Sequence, residues 1–157
     1  MFHLTFVTIG KMKKGPHADL VSEYLKRLQT YAKVHRQEIQ EMRFHSPSDR
    51  AKVLDQEMAL VKDSIRDDAV LVVLDAAGKE FDSAHFASKL NDLSEQHTRP
   101  IVFLVGGPLG LHEELKAEAV LTLSLSQMTY PHEMALSMLT EQVYRAMTIL
   151  NNKTYNY

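Results

Sequence analysis

Residues 121–134 read Leu-Thr-Leu-Ser-Leu-Ser-Gln-Met-Thr-Tyr-Pro-His-Glu-Met. An apolar strand runs into a bend of small hydroxyl residues, and a helix opens near His132. Hydroxyls and exposed backbone amides in such a bend can bind the edge of an adenine. Met128 and the flanking leucines can wall the ring. Taken alone, a histidine at the first turn of a helix is more often a cap or a packing residue than a catalyst.

A second candidate is the run Val-Phe-Leu-Val-Gly-Gly-Pro-Leu-Gly-Leu at 102–111. Glycines directly after a buried strand permit positive φ and close approach of a ligand. From the glycines alone, a sharp turn accounts for them. No Gly-Lys-Ser/Thr follows and the spacing is not GxGxxG, so nothing points to a triphosphate loop. In the last helix, Ser137, Glu141, Arg145 and Thr148 share one stripe, with Tyr144 beside it. Glu141 and Arg145 are four apart, which suits an ion pair worth a few tenths of a kcal/mol. The chain ends Asn-Asn-Lys-Thr-Tyr-Asn-Tyr. Polar tails are usually disordered, but aromatic groups favour contacts.

Strands and helices must alternate to hold these segments. Strands are expected at 4–9, 34–44, 69–74, 101–105 and 120–125. The second is polar, as on a sheet edge. The third and fourth are continuous apolar runs, as in strands buried on both faces. Helices are expected at 18–31, after the turn at 46–49, after Asp82 or Ser83, at 112–118 and at 133–150. Leu54, Met58, Val61 and Ile65 mark the buried stripe of the second helix. The last helix is apolar over more than one face, which suits packing on a partner subunit as well as on its own core. The pattern predicts one α/β domain over 1–157, with a mainly parallel sheet sandwiched by helices. Ligands of such folds bind outside the carboxyl ends of the strands. The loops 75–79, 106–110 and 126–132 occupy such ends.

The chain has no cysteine, and its eight histidines form no ligand spacing such as HExxH. No metal is expected. No apolar run approaches membrane-spanning length and the first residues do not read as a signal peptide, so no membrane partner is expected and a cytoplasmic location follows by default. The formal net charge of −2 argues against a firm grip on naked nucleic acid. Any RNA contact must be local or supplemented by a folded particle or a second subunit.

Together these segments resemble the small SPOUT-superfamily methyltransferases that act on N3 of a pseudouridine in large-subunit ribosomal RNA. The blocks that carry the likeness are Gly10-Lys11-Met12-Lys13, Leu74-Asp75 with Gly78-Lys79, Gly106-Gly107-Pro108-x-Gly110-Leu111, Ser124-Leu125-Ser126-x-Met128-Thr129-x-Pro131-His132 and Glu141-Gln142-Val143-Tyr144-Arg145-Ala146. Their mutual spacing is that of the family, along nearly the whole chain. The resemblance implies a C-terminal trefoil knot, a homodimer with the last helix near its interface, S-adenosylmethionine as cofactor, and ribosomal RNA in the assembled ribosome as partner, with no role for DNA. It also implies a cofactor pocket formed by Leu74, Gly106, Gly107, Leu123, Ser124, Leu125, Ser126, Gln127, Met128, Pro131 and His132. The tail departs from the family: Tyr155-Asn156-Tyr157 stands where Tyr-His and a basic residue are usual. Asn156 cannot act as a base at neutral pH.

Within that resemblance, Arg145 is the candidate cation for charge developing on the target ring, and Glu141 the residue that orients it. His132 is a candidate for proton transfer or for ordering the pocket. Tyr155 is a candidate to stack on the base, from either subunit. The alternative reading is a catalytically weakened or inactive paralogue that binds ribosomes or RNA. A small hydrolase or reductase has no support, since GxSxG is absent.

Overall fold

The computed structural model describes residues 1–155; Asn156 and Tyr157 lie outside the described residues, and with them the tail's departure from the family pattern. Five strands, β1 (Phe2–Ile9), β2 (Ala32–Ile39), β3 (Val70–Lys79), β4 (Ile101–Val105) and β5 (Leu121–Leu123), form one sheet in the order β2-β1-β4-β3-β5. All four strand pairings are parallel. Four α-helices connect them, α1 (Pro16–Leu28), α2 (Arg50–Ser64), α3 (Ser83–Gln96) and α4 (Glu113–Glu118), and α5 (His132–Leu150) follows β5.

The period of two along the strands sorts the core into two layers. Leu4, Phe6, Val72, Ile101 and Phe103 face α1, α3 and α5, meeting Val21, Leu28, Phe86, Leu90, Leu139 and Met147. Val7, Ile9, Val73, Val102 and Leu104 face the other way, onto Val61 of α2 and Leu115 of α4. Phe6 and Phe103 stack at 5.3 Å across the pair β1–β4. Every residue of β4 is buried, as a central parallel strand requires.

Strand ends depart from expectation for identifiable reasons. β2 runs Ala32–Ile39 rather than 34–44 because it pairs with β1 residue for residue, from Phe2↔Ala32 to Ile9↔Ile39. Pairing stops at Gly10, which turns at φ +105 while its N–H donates to Ile39 O at 2.8 Å. β3 continues through 75–79, expected as a loop. Leu123 of β5 pairs first with Leu74 and again with Lys79, so the intervening residues bulge away. The buried stripe of α2 is Val53, Glu57 and Val61, with Met58 and Ile65 only partly covered. A buried carboxylate was not expected there. Glu57 accepts a hydrogen bond from Met42 N–H at 3.0 Å and so anchors the chain leaving β2.

The turn after β4 also differs in detail. The positive φ belongs to Gly110 (+77), not to Gly106 or Gly107. Gly110 N–H donates to Gly107 O at 3.0 Å and closes the turn. What Gly106 provides is closeness: a Cβ there would lie 2.9 Å from Gly110 O. At Gly107 the same atom would meet Ile9 at an ordinary 3.5 Å.

Two stability experiments follow from these contacts. Gly106→Ala forces backbone apart and should cost about 1–3 kcal/mol in urea unfolding, whereas Gly107→Ala should cost about 1 kcal/mol or less. Burial raises the Glu57 carboxyl above its usual range, despite the Met42 amide. A carboxyl that holds its proton more tightly when folded favours the native state as pH falls toward the unfolded value of about 4.3. Glu57→Gln should therefore be more stable than the parent at pH 7–8, with the gap closing below about pH 4. Equal melting curves at both pH values would contradict the assignment.

Candidate functional site

The β3 bulge, the 106–110 turn and the 124–131 bend converge at the carboxyl ends of β3, β4 and β5. They enclose a cavity of about 520 Å³, within the usual range for small-molecule sites. Of the cofactor set expected from sequence, Leu74, Gly106, Gly107, Leu123, Leu125, Ser126, Met128, Pro131 and His132 line it. Ser124 and Gln127 do not. Ser124 is buried behind the wall, where its hydroxyl lies 3.0 Å from both Ala76 O and Ser126 O. It thereby ties the bulge to the bend. Gln127 is exposed. Ser126 Oγ accepts from Met128 N–H at 3.1 Å and shapes the turn that carries the exposed Met128.

Asp75, Ala76, Val105, Thr129, Tyr130 and Ala135 also line the cavity, though none of them was in the cofactor set expected from sequence. Asp75 matters most chemically. Its Oδ1 accepts from Ala77 N–H at 2.8 Å and its Oδ2 lies 3.0 Å from Lys116 Nζ of α4. Burial opposes its ionisation, but the Ala77 amide and Lys116 outweigh burial and hold the carboxyl below the usual range. The cavity wall thus carries a fixed carboxylate, paired with Lys116 and suited to accept from hydroxyl or ammonium donors. The adjacency Leu74-Asp75 was visible in the sequence, but its pairing with Lys116 across 41 residues was not.

His132 begins α5 and lines the cavity. Its Nε2 is buried and makes no hydrogen bond among the described residues. Next to it, Glu133 Oε1 accepts from Lys13 N–H at 3.3 Å, which ties the basic segment 11–14 to the start of α5. Met12 N–H donates to Glu38 Oε2 at 2.6 Å and fixes the same segment to β2.

Arg145, Glu141 and Tyr155 come together, but elsewhere: none of them lines the cavity. Glu141 Oε1 accepts from Arg145 Nη2 at 2.6 Å, from Arg145 Nε at 3.1 Å and from the Tyr155 hydroxyl at 3.0 Å. Gln142 Nε2 donates to its other oxygen at 2.7 Å. The Arg145 guanidinium lies over the Tyr155 ring at 5.0 Å. The hydrogen bond to Glu141 raises the Arg145 pKa further, with burial opposing. Burial, with hydrogen bonds to Tyr24 and Glu141, pushes the Tyr155 phenol well up. Tyr155 therefore stays protonated at neutral pH and can position or donate, but not act as a base. Tyr24 and Arg27 of α1 complete the cluster, with Tyr24 OH 3.3 Å from Tyr155 OH and Arg27 over the Tyr144 ring at 5.8 Å. Sequence spacing links neither to α5; only the packing of α1 on α5 does. Ser137 and Thr148, on the same stripe, are buried and bond carbonyls of their own helix.

Among the described residues, no group of three or more His, Cys, Asp or Glu could hold a metal ion, and no helix is long and apolar enough to cross a membrane.

A comparison of folds gives a "probable methylase family protein" from Haemophilus influenzae Rd KW20, with a TM-score of 0.57, 14% identity and coverage of 99% of this chain and 71% of that one. At that identity the likeness concerns the fold. Sequence comparison gives full-length relatives. The ribosomal RNA large subunit methyltransferase H of Clostridium acetobutylicum is 36% identical over 157 residues, covering 98% of this chain and 99% of the relative. Its namesake in Legionella pneumophila is 36% identical over 156 residues, covering 99% of each. The family model described as "Predicted SPOUT methyltransferase" matches residues 2–156. With nearly the whole length matched by that model, and by relatives well above 30% identity, the chain belongs to the SPOUT methyltransferase family.

Proposed function

We propose that this protein transfers a methyl group from S-adenosylmethionine to N3 of a pseudouridine in large-subunit ribosomal RNA, on the assembled ribosome. The observation that carries the reading is the cavity. Three segments of the family pattern build it, and its chemistry suits a nucleoside without phosphates. Leu74, Leu123, Leu125 and Met128 offer apolar walls for an adenine, Gly106 and Gly107 let backbone approach it, and Asp75 offers an acceptor for hydroxyl or ammonium groups. No metal is called for. The family membership brings the expectation of a C-terminal trefoil knot holding this same region.

When bound, S-adenosylmethionine supplies an electrophilic methyl group whose bond to sulfur breaks with the electron pair staying on sulfur. The protein's share is to hold the target ring in line with that methyl and to remove the N3 proton. Positioning alone can supply a large part of the barrier reduction. His132 at the cavity rim accepts the proton. Arg145, oriented by Glu141, stabilises the negative charge left on the ring. Tyr155 places the base, since a protonated phenol beside Arg145 can stack and donate.

The geometry of α5 supports two subunits for this. Arg145 lies thirteen residues beyond His132 in α5, about 20 Å along the axis at about 1.5 Å per residue. No side chain spans that gap within one chain. The Arg145–Glu141–Tyr155 cluster therefore serves the cavity of a second copy, in a homodimer packed through α5. The net charge of −2 supports a structured particle, rather than naked RNA, as the target.

The direct test is labelled methyl transfer to ribosomes lacking the modification and to the free RNA. Methyl label at N3 of one pseudouridine, on ribosomes and scarcely on free RNA, is the expected result. No transfer to either would favour a non-catalytic ribosome-binding role. Arg145→Ala should lower turnover by about 10²-fold or more and leave cofactor affinity within about twofold. Mixing it under subunit exchange with Gly106→Trp, which blocks the cavity, should restore about one quarter of the parent activity, since half the dimers carry one intact site. No restoration would contradict action between subunits.

A further inference from the structure

We infer that Glu41 is a positioning residue for His132, and that Gly10 is glycine in part to let the two meet. The inference rests on the reading of His132 as proton acceptor. Gly10 ends β1 at φ +105. A Cβ built there would lie 3.2 Å from Glu41 Oε2, 3.4 Å from His132 Cε1 and 3.5 Å from His132 Nε2. The carboxylate and the imidazole thus border the same small space, from the chain leaving β2 and from the start of α5.

The surrounding acids are committed elsewhere. Glu38 accepts from Met12 N–H, Glu133 from Lys13 N–H and Glu57 from Met42 N–H. Arg43 and Lys11 are the cations nearest in sequence to Glu41 and Gly10, and both are exposed. Glu41 makes no hydrogen bond or ion pair among the described residues. Its backbone is held, because Glu57 grips the very next amide. The buried Nε2 of His132 also lacks a partner among the described residues. A buried polar atom left without a partner is costly, so rotation of the exposed Glu41 side chain onto it is favourable.

The consequence is a choice of tautomer. A carboxylate only accepts, so contact with Glu41 requires Nε2 to carry hydrogen. Nδ1 is then left with a free lone pair on a ring that lines the cavity. In the proton transfer the N3–H bond of the target base breaks with its electron pair staying on N3, and an Nδ1–H bond forms. The resulting imidazolium lies against the Glu41 carboxylate, which balances its charge. This is the orienting logic by which a carboxylate sets the nitrogen that faces the substrate.

Long-range nitrogen–proton NMR on histidine-labelled protein reads the tautomer directly, with His132 assigned by its loss in His132→Gln. The parent should show Nε2–H at His132. Glu41→Gln, whose amide can donate to Nε2, should shift it toward Nδ1–H and lower kcat about tenfold or more with KM for S-adenosylmethionine unchanged. Glu41→Asp should recover both in part. A tautomer indifferent to Glu41 overturns the contact. A tautomer that responds while kcat does not overturns its catalytic purpose. Full turnover in His132→Gln overturns that purpose together with the reading of His132 as proton acceptor, and it is told apart because the tautomer still follows Glu41.

Discussion

The double pairing of Leu123 with Leu74 and Lys79 is the constraint on which the site depends. It sets Asp75 and Ala76 in a bulge, and Gly78 permits the close approach of β5: a Cβ there would lie 2.6 Å from Thr122 O. The Ser124 hydroxyl then locks the bulge to the following bend through Ala76 O and Ser126 O. A buried hydroxyl with two acceptors tolerates little displacement without losing a bond worth about 1 kcal/mol. Two of the three cavity walls are thereby one mechanical unit, and the turn after β4 closes against them. Preorganisation of this kind lowers the cost of ordering a ligand.

A second consequence is the separation of two chemistries along one helix. α5 starts at the cavity with His132 and continues, about 20 Å on, to a cation held by Glu141 under an aromatic ring. Within one chain these ends cannot act on one substrate. Under the proposed dimer the helix is a spacer, and a symmetric pairing of two chains would place each end opposite its complement. The buried threonines Thr140 and Thr148 satisfy their hydroxyls on the helix's own carbonyls. α5 can thus pack tightly against α1 and α3 without polar partners from them.

Much of the architecture was legible because period and burial are local properties. The apolar residues Leu4, Phe6, Val7 and Ile9, and the unbroken apolar run of β4, declare buried strands. The glycine pair and the Ser-rich bend were legible as a site, since turns at strand ends leave few alternatives. What was not legible depends on contacts distant in sequence. Nothing near Asp75 announces Lys116, and nothing near Tyr24 or Arg27 announces Tyr144 and Tyr155. The buried Glu57 broke the expected stripe of α2 because its amide partner, Met42, lies in a separate segment. The length of β3 was underread for the same reason: whether 75–79 is loop or bulged strand is decided by β5. Gly106 does line the cavity, but the positive φ expected of it belongs to Gly110.

The central claim is that the cavity takes a nucleoside bearing no phosphate. Calorimetric titration of the purified protein with S-adenosylmethionine tests it most directly, with adenosine triphosphate as the control. The account predicts one saturable site per chain for the first and no measurable heat for the second, since among the described residues no lysine or arginine lines the cavity to meet a phosphate. No uptake of S-adenosylmethionine, or equal uptake of both, would contradict it.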